Sequence, residues 1–544
     1  MAVQGEKVAA GSGVVLVTLA SGQFLMALDS SVMNVSIAVV AEDLDTTVTG
    51  IQTAITMYML VMASLMMTGG KLGQILGRKR TFGLGCVIYG CGSFTTAIAP
   101  NLAVLLFGWS LLEGIGAALI MPAIVALVAT NFEQSERPRA YGMVAAFGAI
   151  AVAVGPLIGG LMTTYASWRY VFAGEVLIVL VILFLMRRMA DAPPEEGARL
   201  DLVGTGLSAL GLGLIVYGVL IAGSWGFVTP KPGAPDWFGL SPVPWLVLAG
   251  GLVLRLLMGW EGRRSRRGES ILLNPLMLRN ERLRGGLTSF FLQYFLQSGL
   301  FFVVPLFLSI SLGLSAIQTG VRLLPLSLAL LLAAVAIPKF LPDVSPRKVV
   351  RFGFASLFLG TALLTTALSV GVGPEVVTVP MLLAGLGIGA LASQLGSVTV
   401  SSVRDEETAE VGGLQNTVTF MGAAVGTALA GAILMSALTT SFFNGIQDNP
   451  DVPASLSDAA ETELASGVPF IPDDQLRGAL ESEGVTGDTA DAVVEENVEA
   501  RLAGLRAALA ALSLVALVAL FVARSIPTAQ PGREKTPTEL ATEV

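Results

Sequence analysis

Long apolar runs recur along the whole sequence, and they constrain the fold more than any other feature. Of the 544 residues, 53% are hydrophobic and only 13% are charged. An apolar run of about 20 residues can cross the hydrocarbon core of a bilayer as a helix, where every backbone polar group must be bonded internally. The pattern therefore predicts an all-α polytopic membrane protein. Fourteen runs qualify, at about 14–40, 52–70, 81–99, 102–130, 141–164, 170–189, 202–222, 243–260, 287–309, 317–337, 349–369, 376–403, 411–437 and 503–523.

The basic residues predict the orientation of these spans. With the N-terminus in the cytoplasm, 26 of the 32 Lys and Arg residues fall on the cytoplasmic side, as the positive-inside rule requires. Both termini are then cytoplasmic. The first run, 14–40, lacks a small-residue cleavage site and is too long for a signal peptide, so we expect it to remain as an anchor. The expected location is the bacterial cytoplasmic membrane, where the lipid bilayer surrounds a multi-pass chain.

An internal repeat divides the sequence into two halves. A constant offset between similar segments in separate helices indicates two six-helix bundles in parallel orientation. The matching pairs are LLEGIGAAL (111–119) with LLAGLGIGA (382–390) and VGPLIGG (154–160) with VGTALAG (425–431), both at an offset of 271, and Arg78–Lys79 with Arg347–Lys348 at an offset of 269.

The repeat predicts four regions. Residues 1–189 form the N-terminal six-helix bundle, and residues 190–285 hold two inserted transmembrane helices with cytoplasmic linkers. Residues 286–526 form the C-terminal bundle, and residues 527–544 form a disordered cytoplasmic tail. The C-terminal bundle contains a polar insert at 440–500 with fourteen acidic residues and one basic residue. We expect a small acidic helical cap there, outside the membrane, which is either a solvated elaboration or a contact for an envelope partner.

Composition excludes several classes of function. The sequence has no histidine, which excludes histidine catalysis, histidine proton relays and most zinc chemistry. Its two cysteines, Cys86 and Cys91, lie in one apolar run and make neither a disulfide framework nor a metal site. The net charge of −8 does not indicate a nucleic-acid partner. We therefore expect no enzyme activity, no metal and no cofactor.

Two carboxyl groups lie deep inside predicted spans. Asp29 stands fifteen residues into the first run and Glu113 eleven residues into the fourth, which runs the other way. Both are therefore near the middle of the bilayer, where an ionisable residue is a functional candidate by default. Low dielectric disfavours the charged form of a carboxyl group, and a second carboxylate nearby disfavours it further. A pair like this can hold a proton near neutral pH. The alternative for Asp29 is a structural carboxylate capped by Ser30 or Asn34.

Further polar side chains are weaker candidates. Glu175 is near the outer end of the sixth run, where water can reach it, so it ranks third among the carboxylates. Gln293 and Gln297 are one helical turn apart in the ninth run. They either orient a substrate or form hydrogen bonds between helices.

Glycines in the fifth run predict close packing of two helices. In a membrane, small residues let helix backbones approach each other, and a proline loosens the turn before it. A generic packing face would explain the glycines alone. The whole string, however, resembles the antiporter motif in the fifth helix of major facilitator superfamily exporters, which that family uses as a pivot and seal between bundles. The residues concerned are Gly148, Gly155, Pro156, Gly159 and Gly160.

Other segments extend this resemblance to nearly the whole chain. GKLGQILGRKR (70–80) is similar to the family's conserved loop, with Gly70, Gly77, Arg78 and Lys79 in register. LDSSVMNV (28–35) resembles the first-helix motif of the fourteen-helix drug:proton antiporter branch. The resemblance implies that Asp29 couples transport to protons. It also implies that the first and fourth spans line a central cavity, with Asp29, Glu113, Asn34, Gln293, Gln297 and Glu175 as candidate lining residues.

The sequence departs from the family at several positions that carry or gain charge, including Ile75, which replaces an arginine, and Glu175, which replaces an asparagine. Gln74 replaces an aspartate that normally takes part in a cytoplasmic charge latch. Ser110 and Glu113 stand where the fourth-helix motif has an arginine and a glutamine. Removing a positive charge and adding a negative one favours protonated carboxyls or a cationic substrate. The latch must be weaker or built otherwise, and Arg78 and Lys79 then serve either the latch or only the positive-inside rule.

The sequence thus predicts a proton-coupled exporter of drugs or lipophilic small metabolites across the cytoplasmic membrane. One alternative is a lipid or lipophilic-metabolite exporter that works with an envelope partner. Another is a sensor or scaffold on a transporter fold that transports nothing.

Overall fold

The computed structural model describes residues 2–133, 136–191, 194, 199–231, 233–341, 343–403, 408–464 and 468–528. Within these ranges the chain is helical and contains no β-strand. Residues 529–544, which make up most of the predicted tail, lie outside the described residues. The helices are α1 (Ala2–Asp43), α2 (Val48–Leu76), α3 (Arg78–Ala97), α4 (Leu102–Leu105), α5 (Gly114–Asn131), α6 (Arg137–Tyr165), α7 (Arg169–Leu185), α8 (Leu202–Trp225), α9 (Pro242–Arg266), α10 (Glu281–Leu306), α11 (Ala316–Phe340), α12 (Pro346–Ala367), α13 (Thr378–Val400), α14 (Thr408–Asp448), α15 (Ala454–Glu463), α16 (Asp473–Ser482) and α17 (Asp488–Val522).

Two bundles form the body of the molecule. In the N-terminal bundle α1 packs on α6 and α7, and α3 packs on α5 and α7. In the C-terminal bundle α10 packs on α14, and α13 packs on α11 and α12. The long helix α17 closes this bundle by packing on α12 and α14. Glycines let many of these backbones approach closely. At Gly116, for example, an added methyl group would lie only 2.7 Å from the backbone nitrogen of Tyr89.

The two bundles meet mainly through two helix pairs, α6 with α11 and α2 with α14. The offset of 271 residues relates α6 to α14, so the two contacts are internal counterparts. Helices α8 and α9 form an antiparallel pair. The pair attaches to the two bundles through α8, which packs on α2 and α14. A hydrogen bond of 3.1 Å between the hydroxyls of Thr68 and Thr205 ties α8 to α2.

Twelve helical segments in the described part of the chain are long and apolar enough to cross a membrane. Helix α6 would be a thirteenth, but it is bent by 40° between its segments Ala140–Val152 and Val154–Tyr165. Pro156 explains the bend, because it has no backbone N–H to donate to the carbonyl of Val152, four residues earlier. Helix α3 does not qualify. The fourteen predicted spans therefore reduce to twelve that composition and length support.

The polar insert is folded against the ends of α14 and α17. Helices α15 and α16 lie within residues 440–500, and Val468 and Phe470 between them are buried. The guanidinium of Arg501 is buried and binds the carboxylate of Asp473 and the carbonyl of Ile471. The insert is therefore packed onto the C-terminal bundle, as expected for a helical cap.

Candidate functional site

Three buried carboxyl groups meet inside the N-terminal bundle. Asp29 of α1, Glu113 before α5 and Glu175 of α7 are at most 1% exposed. One carboxylate oxygen from each lies within 4.8 Å of the others. None of the ion pairs in the described part of the chain involves them. We call Asp29, Glu113 and Glu175 the carboxyl cluster.

Neutral donors surround the carboxyl cluster. Trp109 Nε1 donates to Asp29 Oδ1 at 2.8 Å. The hydroxyl of Thr96 donates to Glu113 at 3.3 Å, and the hydroxyl of Ser93 donates to Glu175 at 3.2 Å. One oxygen of each carboxyl has no hydrogen-bond partner. The cluster is thus only half satisfied by hydrogen bonds, which leaves room for protons on the unpartnered oxygens.

Two tyrosines complete the wall of the cluster. The hydroxyls of Tyr58 and Tyr89 are buried, and both interact with the Asp29 carboxyl. The Tyr58 ring is stacked on Trp109, with ring centroids 5.0 Å apart and planes 8° apart. Aromatic stacking therefore links Tyr58 to the donor of Asp29.

A π-helical segment, Leu106–Glu113, positions two members of this site. It joins α4 to α5, so that Leu102–Asn131 is one continuous helix. A π-helix has a wider turn than an α-helix and is often found at functional sites. Trp109 and Glu113, four residues apart in this segment, both belong to the site: Trp109 donates to Asp29, and Glu113 is a member of the cluster. Gly92 of α3 makes the space, because a methyl group there would lie 2.5 Å from Cγ of Glu113.

A cavity of about 360 Å³ lies between the two bundles. Asn34, Gln293 and Gln297, which the sequence singled out, lie on its wall. The wall also carries amides and aromatic rings from both bundles and methionines from the N-terminal bundle, and none of the described lining residues is charged. These further lining residues include Gln23, Gln415, Asn416, Met26, Met59, Met62, Met121, Phe290, Tyr294 and Phe420.

The carboxyl cluster does not line this cavity, which corrects the prediction that Asp29, Glu113 and Glu175 are lining residues. They are close together, but inside the N-terminal bundle and behind Tyr58, which does line the cavity. Glu175 was predicted near the outer interface and within reach of water, but it is buried in the cluster. Asp29 is held by Trp109 and not by Ser30 or Asn34, since the Asn34 amide donates to the carbonyl of Ser30 at 2.7 Å.

The glycine stretch of α6 contacts both bundles. Gly155 and Gly159 face α1, where added methyl groups would lie 2.5 Å from Ser31 and 2.9 Å from Cα of Val32. Gly160 faces the other bundle, where a methyl group would lie 2.5 Å from the carbonyl oxygen of Ala316. Gly148 packs on Gln23 and lines the cavity. The contact between bundles is therefore made at Gly160, between the cavity and the Asp43 end of α1.

The C-terminal bundle makes the matching contact. Gly431, at the offset of 271 residues from Gly160, packs against the side chain of Gln52 in α2. The Gln52 amide donates to the carbonyls of Thr427 and Ala428 at 3.2 Å and 3.3 Å. Glycine thus permits both contacts that join the bundles.

An aspartate outside the family motif binds the loop that contains Gly77. Gly77 has φ +97°, and it ends α2 and precedes α3. Asp191 Oδ1 accepts the backbone N–H of Lys79 at 2.9 Å, and Lys79 Nζ donates to the carbonyl of Met189 at 2.7 Å. Gly70 is in ordinary contact with Pro122, 3.6 Å from a methyl group placed there. Asp191 thus supplies an acid where Gln74 leaves the motif without one.

Sequence reasoning missed Trp109, Tyr58, Tyr89 and Asp191. The three aromatic residues lie in apolar runs, where a membrane protein carries many such side chains, so only three-dimensional contacts distinguish them. Ser110 was noted as a replacement for arginine, and it donates to the carbonyl of Ala54 at 2.8 Å, which ties the π-helical segment to α2.

Comparison with known proteins identifies the family. The sequence profile described as Major Facilitator Superfamily matches residues 19–427. The chain belongs to the major facilitator superfamily. Members of this superfamily are transporters, which agrees with the two bundles and the cavity between them. The chain is accordingly a multi-pass protein of the cytoplasmic membrane.

Curated relatives of this superfamily member are resistance and export proteins. The puromycin resistance protein pur8 of Streptomyces alboniger is 32% identical over 431 residues, covering 77% of this chain and 81% of the relative. The probable actinorhodin transporter of Streptomyces coelicolor is 29% identical, covering 83% and 76%. The tetracenomycin C resistance and export protein of Streptomyces glaucescens is 26% identical, covering 96% and 93%. These relatives support a membrane exporter.

A solved structure supports the fold. The crystal structure of a bacterial homolog of the human lysosomal transporter Spinster, in an inward-facing and unoccupied conformation, has a TM-score of 0.59. It is 15% identical and the match covers 95% of this chain and 98% of the other. At this identity the likeness shows the fold alone.

Proposed function

We propose that the protein exports drugs or lipophilic small metabolites in exchange for protons. The observation that carries the proposal is the carboxyl cluster, which brings Asp29, Glu113 and Glu175 within 4.8 Å with no cation paired to them. At an effective dielectric constant of about 20, two unit charges 4 Å apart repel by about 4 kcal/mol. Three ionised carboxylates are therefore unfavourable here, and the cluster holds one or more protons that it can give up when its surroundings change.

The cavity supports an exporter of lipophilic compounds. Its wall offers six amide side chains beside methionines and aromatic rings. Methionine is flexible and polarisable, so it adapts to ligands of different shape. The amides Gln293 and Gln297 donate and accept hydrogen bonds, which suits carbonyl and hydroxyl groups on an apolar substrate. The proposed substrates are therefore compounds of the kind that the relatives' names indicate, such as puromycin, actinorhodin and tetracenomycin C.

We also propose fourteen crossings with both termini in the cytoplasm. Helix α3 and the bent helix α6 are the two crossings beyond the twelve. In this orientation the contacts of Gly160 and Gly431 close the outer end of the cavity. Residues 440–500 are then extracytoplasmic, so a cysteine at the exposed Glu483, in a chain whose Cys86 and Cys91 are replaced, should react with an impermeant maleimide added to intact cells. Reaction only after lysis would contradict this orientation.

The test of the function is uptake by everted membrane vesicles that are acidified inside. Vesicles that contain the protein should accumulate puromycin, actinorhodin or tetracenomycin C, and an ionophore that dissipates the pH gradient should abolish the accumulation. Vesicles without the protein provide the background. Accumulation that survives the ionophore would contradict proton coupling, and no accumulation of any of the three compounds would contradict the proposed substrate class.

A further inference from the structure

The cavity and the carboxyl cluster are separate, so occupancy of one must reach the other through intervening side chains. Three side chains interact with the Asp29 carboxyl from outside the cluster, namely Trp109, Tyr58 and Tyr89. Among these, Tyr58 alone lines the cavity. The Tyr58 side chain borders the cavity but is 0% exposed, so a substrate acts on it by packing against the cavity wall and touches none of the three carboxyls.

Tyr58 is mechanically linked to the donor of Asp29. Its ring lies parallel to that of Trp109, with centroids 5.0 Å apart, and Trp109 Nε1 donates to Asp29 Oδ1 at 2.8 Å. Both rings are fully buried, so neither can turn without displacing the other. A hydrogen bond donated to a carboxylate favours its ionised form. The position of the Tyr58 ring thus affects how readily Asp29 ionises.

We propose that Tyr58 and Trp109 are positioning residues that couple cavity occupancy to the proton on Asp29. This inference rests on the proposed proton exchange. A substrate packed against the cavity wall beside Tyr58 holds the stacked rings in place, and the Trp109 hydrogen bond then keeps Asp29 ionised, its proton having left for the aqueous phase. When the substrate leaves, the rings are free to tilt, the hydrogen bond weakens and Asp29 takes up a proton.

Other groups that face Asp29 set the background for this coupling. They come from each neighbouring element: Tyr89 from α3, Glu113 from the π-helical segment and Glu175 from α7. Tyr89 does not line the cavity, and neither glutamate does. They influence the charge of Asp29 in every state, whereas the Tyr58–Trp109 pair responds to the substrate.

The test is the number of protons released per substrate molecule bound. Purified protein in weakly buffered detergent is mixed with puromycin, actinorhodin and tetracenomycin C in turn, a pH-sensitive dye reports the protons, and equilibrium dialysis reports binding. Trp109→Phe keeps a ring but loses the N–H, and Tyr58→Leu loses the stack. Each should still bind substrate but release at least about fivefold fewer protons per bound molecule. Tyr58→Phe keeps the stack and loses only the hydroxyl that interacts with Asp29, so it should retain more of the yield than Tyr58→Leu.

The chain offers matched controls. Trp168 Nε1 donates to Asp43 at 2.9 Å, and Trp260 Nε1 donates to Asp201 at 2.8 Å. Neither of these aspartates belongs to the carboxyl cluster. Trp168→Phe and Trp260→Phe should keep the proton yield. Tyr294→Leu alters the cavity wall away from the cluster, so it should weaken binding and keep the yield per bound molecule.

Each outcome is decisive. An unchanged yield in either Trp109→Phe or Tyr58→Leu overturns the coupling role of that pair. If Trp168→Phe or Trp260→Phe lowered the proton yield as much as Trp109→Phe does, the proposal would also be overturned. A general effect of tryptophan removal would then explain the result. If the wild-type protein binds substrate and releases no proton, the proposed proton exchange itself fails.

Discussion

The two bundles share an architecture but differ in their interior chemistry. At the offset of 271 residues, Asp29 corresponds to Leu300 and Glu113 to Ala384, and both counterparts are fully buried. The contacts between bundles, in contrast, are preserved, with Gly160 and Gly431 in equivalent places. The repeat thus maintains the packing between the halves, while Asp29, Glu113 and Glu175 place three buried carboxyl groups in the N-terminal half.

The loops that follow α2 and α11 extend the comparison. Lys79 Nζ binds the carbonyl of Met189 after α7, and Arg347 Nε binds the carbonyl of Ile526 after α17 at 2.7 Å. Each bundle therefore ties the start of its third helix to the end of its sixth. In the N-terminal half an acid, Asp191, also takes part in this contact.

The largest expected effect is a loss of drug resistance when the interior of the N-terminal bundle, and not that of the C-terminal bundle, is altered. Asp29→Asn should insert into the membrane and abolish drug resistance in an efflux-deficient host, because an amide cannot exchange a proton. Leu300→Asn places the same amide at the counterpart position, and Asp43→Asn removes a carboxylate from the end of the same helix. Both controls should retain resistance, measured as growth against drug concentration. Resistance in cells with Asp29→Asn would show that the cluster is not the coupling site.

The next effect tests the shared packing. Gly160→Leu and Gly431→Leu should each lower transport by about tenfold or more, because each side chain would push the two bundles apart. Membrane content, measured by immunoblot, should stay close to that of the wild type. Gly142→Leu in α6 and Gly413→Leu in α14 are the controls, since methyl groups there meet nothing within 4 Å. A loss at only one of the two counterparts would mean that the halves do not share a seal.

A smaller effect concerns the second member of the cluster. Glu113→Gln removes a negative charge beside Asp29, so the pH profile of transport should move toward acid by on the order of one pH unit. Glu261→Gln removes another buried carboxyl, in α9 and outside the cluster, and should leave the profile in place. The profile is transport rate against pH in proteoliposomes. Superimposed normalised curves for wild type and Glu113→Gln would argue against a coupled pair.

The smallest effect lies in the loops. Gly77→Ala should lower the free energy of unfolding by about 1–3 kcal/mol, because φ +97° with ψ 142° is a region that only glycine occupies readily. Asp191→Asn should weaken the contact with Lys79 and lower the transport rate by less than about threefold. Thermal melting in detergent and transport assays measure these changes. Gly206→Ala, in the helical interior of α8 with open space around it, is the control for glycine replacement.

The sequence predicted the helical class, the repeat and the closeness of Asp29 to Glu113, because hydropathy and residue depth carry that information. Depth along a helix does not give its rotation, so the same reasoning wrongly placed the carboxyls on the cavity wall and Glu175 near water. The π-helical segment was not predicted, although it contains both Trp109 and Glu113. Asp191 was missed because it lies more than one hundred residues from the loop that it binds.

The most direct test of the central claim is the substrate ratio that proteoliposomes reach at equilibrium under a fixed pH gradient. If one proton is exchanged for each neutral substrate molecule, the wild-type protein should sustain a ratio of about tenfold per pH unit. Asp29→Asn should reach a ratio of one at every gradient, while Asp43→Asn should match the wild type. A ratio in Asp29→Asn that rises with the pH gradient as in the wild type would contradict the account.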